Sequence, residues 1–214
     1  MPPSTSPAWL PPSETADPWG LSRLEGFYRL HARIYDLTRP FLLFGRSGAV
    51  RALDPRPGER VLDVGCGTGW SLPRLAEKGA RVTGVECSAP MRRQAEGRLR
   101  RLGLDGDVGL DPRPYGTHAG YQGLADAFLF SYSLSMIPPY ETVLERARDD
   151  LRPGGRISGV DFLDARWPVG AGLRRSHVSL GPERLDALRR LFARHRVRVR
   201  TVGLWRFFLF LGRT

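Results

Sequence analysis

The chain has 214 residues but only two cysteines, a single lysine and no stretch of about 18 apolar residues. Each shortage excludes something. Cys66 and Cys87 cannot build a disulfide framework, which points to a reducing, cytoplasmic setting. Without a long apolar run, a transmembrane helix is not expected. The residues after Met1 lack the basic start and apolar core of a signal peptide. The 25 glycines and 18 prolines fall short of a low-complexity composition. Against these absences, 41% of the residues are hydrophobic, enough for one α/β domain with its own core and a short accessory element.

Charge is present in excess, and of one sign. Lys78 is the lone lysine among 33 basic residues, against 22 acids, for a formal net charge of +11. From Ala165 to Thr214, twelve arginines face two acids, Glu183 and Asp186, so +10 of the +11 lies in the last 50 residues. Such a one-sided region suits a polyanionic partner, either nucleic acid or an anionic membrane surface. A solvated arginine face fits the count equally well.

Three segments are expected along the chain. Residues 1–18 hold six of the 18 prolines among Ser, Thr and Ala, and read as a flexible tail. Residues 19–54 follow helical spacing broken at Pro40, with Leu24, Phe27, His31, Ile34 and Tyr35 on one face. Phe41-Leu42-Leu43-Phe44 is apolar all round. Residues 55–214 alternate strand-like runs (60–64, 81–86, 107–110, 125–133, 156–162) with helical stretches (70–78, 90–102, 139–151). That alternation predicts right-handed βαβ units and a mostly parallel sheet. Pro153-Gly154-Gly155 is read as a turn into the last of those strands. A helix starting at Pro182-Glu183 is followed by runs 196–202 and 204–211, an antiparallel hairpin.

The strongest chemical pattern is Val61-Leu62-Asp63-Val64-Gly65-Cys66-Gly67-Thr68-Gly69-Trp70. A buried strand enters a glycine turn that opens a helix, so backbone N–H groups can approach a ligand closely. Glu86 follows Gly65 by 21 residues, at the end of the next strand, where an acid can accept hydrogen bonds from two ribose hydroxyls. A dinucleotide site would place glycine at Trp70; the spacing here is G-x-G-x-G instead.

This form resembles motif I of the class I S-adenosylmethionine-dependent methyltransferases. Val82-Thr83-Gly84-Val85-Glu86, residues 125–133 and Leu151-Arg152-Pro153-Gly154-Gly155 are similar to that family's later landmarks, in the same order. The resemblance implies a Rossmann-like, doubly wound sheet of seven mostly parallel strands with the antiparallel hairpin at its C-terminus. It implies S-adenosyl-L-methionine as cofactor, with Glu86 on the ribose and Gly65, Cys66, Gly67 and Gly69 around the methionine moiety. It further implies that Asp63 orients the loop, that Ser131 lies beside the cofactor, and that Asp107 or Asp111 lies near the adenine. Cys66 is read as a packing residue, since methyl transfer needs no thiol.

Two further segments, His31 to Arg46 and Ser131 to Pro138, are similar to bacterial lipid N-methyltransferases, above all those that make a betaine lipid from diacylglyceryl-homoserine. Phosphatidylethanolamine N-methyltransferases are relatives of these. That resemblance implies a lipid amine as substrate, attacked in line on the sulfonium methyl. The quaternary product is a cation that suits aromatic faces, and Tyr132 and Tyr35 are the candidates for catalysis. Arg39 and Arg46 are candidates for clamping a carboxylate or phosphate. The Phe41 to Phe44 turn beside them fits an interfacial anchor on an anionic membrane, or a core turn. His118, His177 and His195 have no metal-like spacing, so no metal is expected. Nor is nucleic acid: Ile137-Pro138-Pro139-Tyr140 lacks the leading Asn or Asp of many base methyltransferases.

Overall fold

The computed structural model describes residues 43–116, 121, 123–137 and 139–214. The tail, most of the N-terminal helical segment and the candidates Tyr35 and Arg39 lie outside the described residues.

The chain enters through α1 (Arg46–Leu53), whose Ala49, Val50 and Leu53 are buried. Strand β1 (Arg60–Val64), α2 (Leu72–Ala76), β2 (Arg81–Val85), α3 (Ala89–Arg101) and β3 (Gly109–Asp111) follow. Then come β4 (Ala125–Ser131), a 3-10 turn at Leu134–Met136, α4 (Tyr140–Asp150) and β5 (Leu151–Ala165). The C-terminal part is α5 (Val169–Arg175), α6 (Glu183–Leu191), β6 (Arg194–Val202) and β7 (Trp205–Arg213).

One sheet of seven strands runs β3-β2-β1-β4-β5-β7-β6. The first five are parallel, and β7 is antiparallel to both β5 and β6. This is the expected α/β architecture. Strands β1 and β4 are buried on both faces because helices cover both sides, so their sequences are near-continuous apolar runs, interrupted by Asp63 and Asp126, rather than alternating ones. Two apolar cores result. One lies under α1, with Leu53, Val61, Leu129 and Phe207; the other lies toward α4 and α6, with Leu62, Phe128, Leu144, Leu188 and Phe208.

Two local expectations are corrected, and one helix was not expected at all. The Pro-Gly-Gly turn lies inside β5: Ala125 pairs with Leu151 and Ala127 with Arg156, so residues 152–155 bulge out opposite Asp126 alone. Strand β3 starts two residues later than expected, at Gly109. Helix α5 was not legible, because Gly170 and Gly172 depress helix propensity over its seven residues.

The accessory segment is fastened to the sheet by one buried cation. Arg156 (8% exposed) donates to the carbonyls of Leu53 at 2.6 Å and Asp54 at 2.9 Å, and holds the Glu59 carboxylate at 3.0 and 2.5 Å. Burial alone would raise the Glu59 pKa, but the Arg156 hydrogen bond outweighs it and holds that carboxyl below the usual range.

Candidate functional site

Strands β1, β2 and β4 end side by side, and the loop after β1 turns over their carboxyl ends. The N–H groups of Gly65 and Cys66 donate to the Val85 carbonyl at 2.8 and 3.2 Å, fixing this loop to β2. Gly67 has φ of 59°, left-handed backbone that favours glycine, and a Cβ built there would meet nothing within 4 Å. Open space therefore lies directly over the middle of the loop.

Cys66 faces the other way. A Cβ on Gly84 would come within 2.8 Å of the Cys66 sulfur, so strand β2 keeps a glycine where this thiol packs. Burial pushes the Cys66 thiol well up, which keeps it protonated and unreactive. Its role is packing.

Glu86 is 9% exposed just past the end of β2. Its two oxygens accept from the Gly67 N–H at 2.9 Å and the Ser88 N–H at 2.8 Å. The same carboxylate thus spans the glycine loop and the start of α3, where Ser88 is the N-cap. Arg98 of α3 also donates to the Thr68 carbonyl at 3.0 Å, locking helix to loop.

Beneath the loop Asp63 is fully buried, hydrogen-bonded by Ser71 through one oxygen, while its other oxygen has no hydrogen-bond partner among the described residues. Desolvation pushes its pKa up to about 7, against the opposing pull of the Ser71 hydrogen bond and the Arg46 charge. Unfolded, the same group titrates near about 3.9. Since the folded value is the higher, its contribution to stability is complete below about 3.9 and is lost as pH rises through about 7. Thermal midpoints should therefore fall between about pH 4 and pH 7 and level off above that, and Asp63→Asn should flatten that slope. An unchanged slope in the variant would remove Asp63 as its source.

The remaining candidates fall into two groups. Arg46 and Arg74 both lie over the Trp70 ring, at 4.2 and 3.9 Å from its centre. The Arg46 charge also acts on Asp63 and Tyr132, which puts this side chain near the carboxyl ends of β1 and β4. Ser131 closes β4 beside Val160. Asp107 does not join them: it is exposed on the turn that enters β3, at the opposite end of the sheet. The late start of β3 is the reason. Asp111 holds the site end of that strand, where its carbonyl accepts from the Glu86 N–H at 2.9 Å. Its carboxylate, buried with Arg113 and the Tyr121 hydroxyl, is held below its ordinary pKa by them.

Tyr132 stands at the end of β4 with φ of 57°, rare for a non-glycine residue. It is 4% exposed, packs on Phe162 with 4.6 Å between ring centres, and donates its hydroxyl to the Phe44 carbonyl at 2.7 Å. Burial pushes that hydroxyl's pKa up, so it stays a donor. In this structure Tyr132 tethers the segment before α1 to the carboxyl end of β4, a role the sequence did not signal.

A second missed feature is buried Asp161 (1% exposed), which accepts from the Ser135 and Phe162 N–H groups at 2.8 Å each and shapes the loop after β4. Burial raises its pKa.

Residues 61–155 match the family model described as a methyltransferase domain. This stretch is a methyltransferase domain. The chain is 37% identical over 142 residues to a demethylmenaquinone methyltransferase of Beutenbergia cavernae, covering 64% of this chain and 56% of that protein. It is 36% identical over 153 residues to a protein-L-isoaspartate O-methyltransferase of Methylorubrum populi, covering 71% and 64%. The chain therefore spans between about half and two thirds of the length of these relatives. Among solved structures, phosphoethanolamine N-methyltransferase 2 of Haemonchus contortus with S-adenosyl-L-methionine superposes with a TM-score of 0.68 at 14% identity, over 78% of this chain and 52% of that one. That likeness concerns the fold.

The methyltransferase site fits such a cofactor on its own geometry. The space over Gly67 has no Cβ to fill it, Glu86 presents a nearly buried carboxylate beside it, and the buried Ser88 and Ser133 hydroxyls have no partner among the described residues.

Proposed function

We propose that this chain transfers a methyl group from S-adenosyl-L-methionine to an acceptor carried by a lipid. The observation behind the cofactor half is the Glu86 carboxylate, held by Gly67 and Ser88 at the end of β2 next to the open glycine loop. Bound there, S-adenosyl-L-methionine would supply an electrophilic sulfonium methyl. The chain's own residues would do the rest: Glu86 accepts from the ribose hydroxyls, and the loop after β1 leaves room for the methionine moiety. Asp63 braces that loop from below. Because methyl transfer is an in-line displacement, most of the protein's contribution is orientation.

For the acceptor, the segments His31 to Arg46 and Ser131 to Pro138 favour a lipid amine such as diacylglyceryl-homoserine or phosphatidylethanolamine. A second reading, methylation of a lipophilic quinol, is supported by the relative named for demethylmenaquinone. Labelled cofactor supplied with each purified acceptor separates them. Label on a trimethylated or monomethylated lipid headgroup supports the amine, and label on the quinol ring supports the second reading. Label on neither, with transfer to a protein substrate instead, would overturn a lipid-borne acceptor.

A further inference from the structure

At the carboxyl end of β5 the chain exposes apolar side chains that no neighbour among the described residues covers. Trp167, just past β5, is 81% exposed, Leu204 in the β6–β7 turn 40% and Phe44 41%. They belong to one region. The Arg166 N–H donates to the Leu204 carbonyl at 2.7 Å, tying the Trp167 loop to the hairpin turn, and Phe44 lies 6.1 Å from Trp205 at the base of that turn.

Beside this tip runs a ladder of arginines. Arg194, Arg196, Arg198 and Arg200 fall at every second residue of β6, the outermost strand, and so point to one face. In register across β7 they sit next to Arg213, Leu211, Leu209 and Phe207, which marks this as the α1 face of the sheet. All four are exposed, and none has an ion-pair partner among the described residues. Strand β6 carries no acid at all.

Charges on an edge strand commonly block edge-to-edge pairing. That purpose accounts for one or two arginines and disfavours a second copy of this chain as occupant. It does not account for Trp167 and Leu204 standing bare at the same end. An aromatic and aliphatic tip next to cations is the combination that enters a bilayer interface, with apolar groups below the headgroups and guanidinium groups among anionic ones.

We infer that the β6 arginine ladder and the Trp167–Leu204 tip together dock this protein on an anionic lipid bilayer. The tip lies at the same end of the sheet as the glycine loop and Glu86. Phe44 links the two, since its carbonyl takes the Tyr132 hydroxyl. Docking would therefore place the mouth of the site against the membrane. This gives the lipid-acceptor reading its membrane contact, yet it is measured without cofactor or acceptor, so either can fail alone.

The test is flotation of the full chain with phosphatidylglycerol–phosphatidylcholine vesicles and with phosphatidylcholine alone. Binding should need the anionic lipid and weaken with salt. Arg196→Ala/Arg198→Ala/Arg200→Ala should lower it about a hundredfold, at roughly fivefold per arginine. Brominated acyl chains should quench the wild type's tryptophan fluorescence, and Trp167→Phe should lose most of that quenching. S-adenosylhomocysteine affinity should stay unchanged in both variants, which shows that they remain folded. Equal binding to neutral vesicles, quenching that survives Trp167→Phe, or arginine-dependent binding to RNA in place of vesicles would each overturn the inference.

Discussion

Gly67→Val should abolish binding of S-adenosylmethionine, by a hundredfold or more, while the protein stays folded. At Gly67 the backbone is left-handed, so any side chain carries a strain of about 1–2 kcal/mol, and a β-branched one is the worst placed. Space is not the obstacle within the protein, because a Cβ there meets nothing within 4 Å. The valine methyls would instead occupy the opening over the strand ends, beside the Glu86 carboxylate. Calorimetric titration with S-adenosylhomocysteine, alongside a thermal melt, separates these effects. Gly67→Ala carries a similar backbone strain with less bulk and should retain intermediate affinity. Full affinity in Gly67→Val would mean that the cofactor does not pass over this loop.

The second large effect concerns stability. Arg156→Ala should cost about 3–5 kcal/mol, since it leaves the buried Glu59 carboxylate with only the Arg56 N–H and the more distant Arg152 charge, and takes the donor from two carbonyl groups at the end of α1. For a chain of this size that corresponds to a fall of about 6–20 °C in the melting midpoint. The loss should depend on pH. Arg156 holds the Glu59 pKa down, so the pair stabilises above the unfolded value of about 4.3 and its contribution disappears as pH falls through the folded value. The gap between wild type and Arg156→Ala should therefore narrow in acid. Arg156→Met, which keeps the volume but not the charge, should be nearly as damaging; a melt within 2 °C of wild type would show that the pair is dispensable.

Much of this architecture is written locally. Runs such as 60–64 and 125–131 are largely apolar on both faces, the pattern of a strand covered on two sides. Glycines at 65, 67 and 69 after the first run, and an acid after the second, mark the ligand end of the sheet without reference to anything distant. The failures have a common cause too. Asp107 and Asp111 are both acids near a three-residue strand, and nothing nearby says which side of it each will occupy. Pro153-Gly154-Gly155 has the composition of a turn, but pairing with β4 carries the strand through it as a bulge.

By itself the sequence determined the order of strands and helices apart from α5, the glycine loop with its acid, and the concentration of positive charge after residue 165. These depend on periodicity and on spacing within some 20 residues, and that information is local. Tertiary structure alone decided the rest. It gave the Tyr132 hydroxyl to a carbonyl 88 residues away and buried Arg156 against a loop about a hundred residues earlier. It also turned a diffuse count of arginines into a ladder on one face of an edge strand, beside a bare tryptophan. Such outcomes follow from which strands the sheet makes neighbours, and the order β5-β7-β6 is settled by packing across the whole chain.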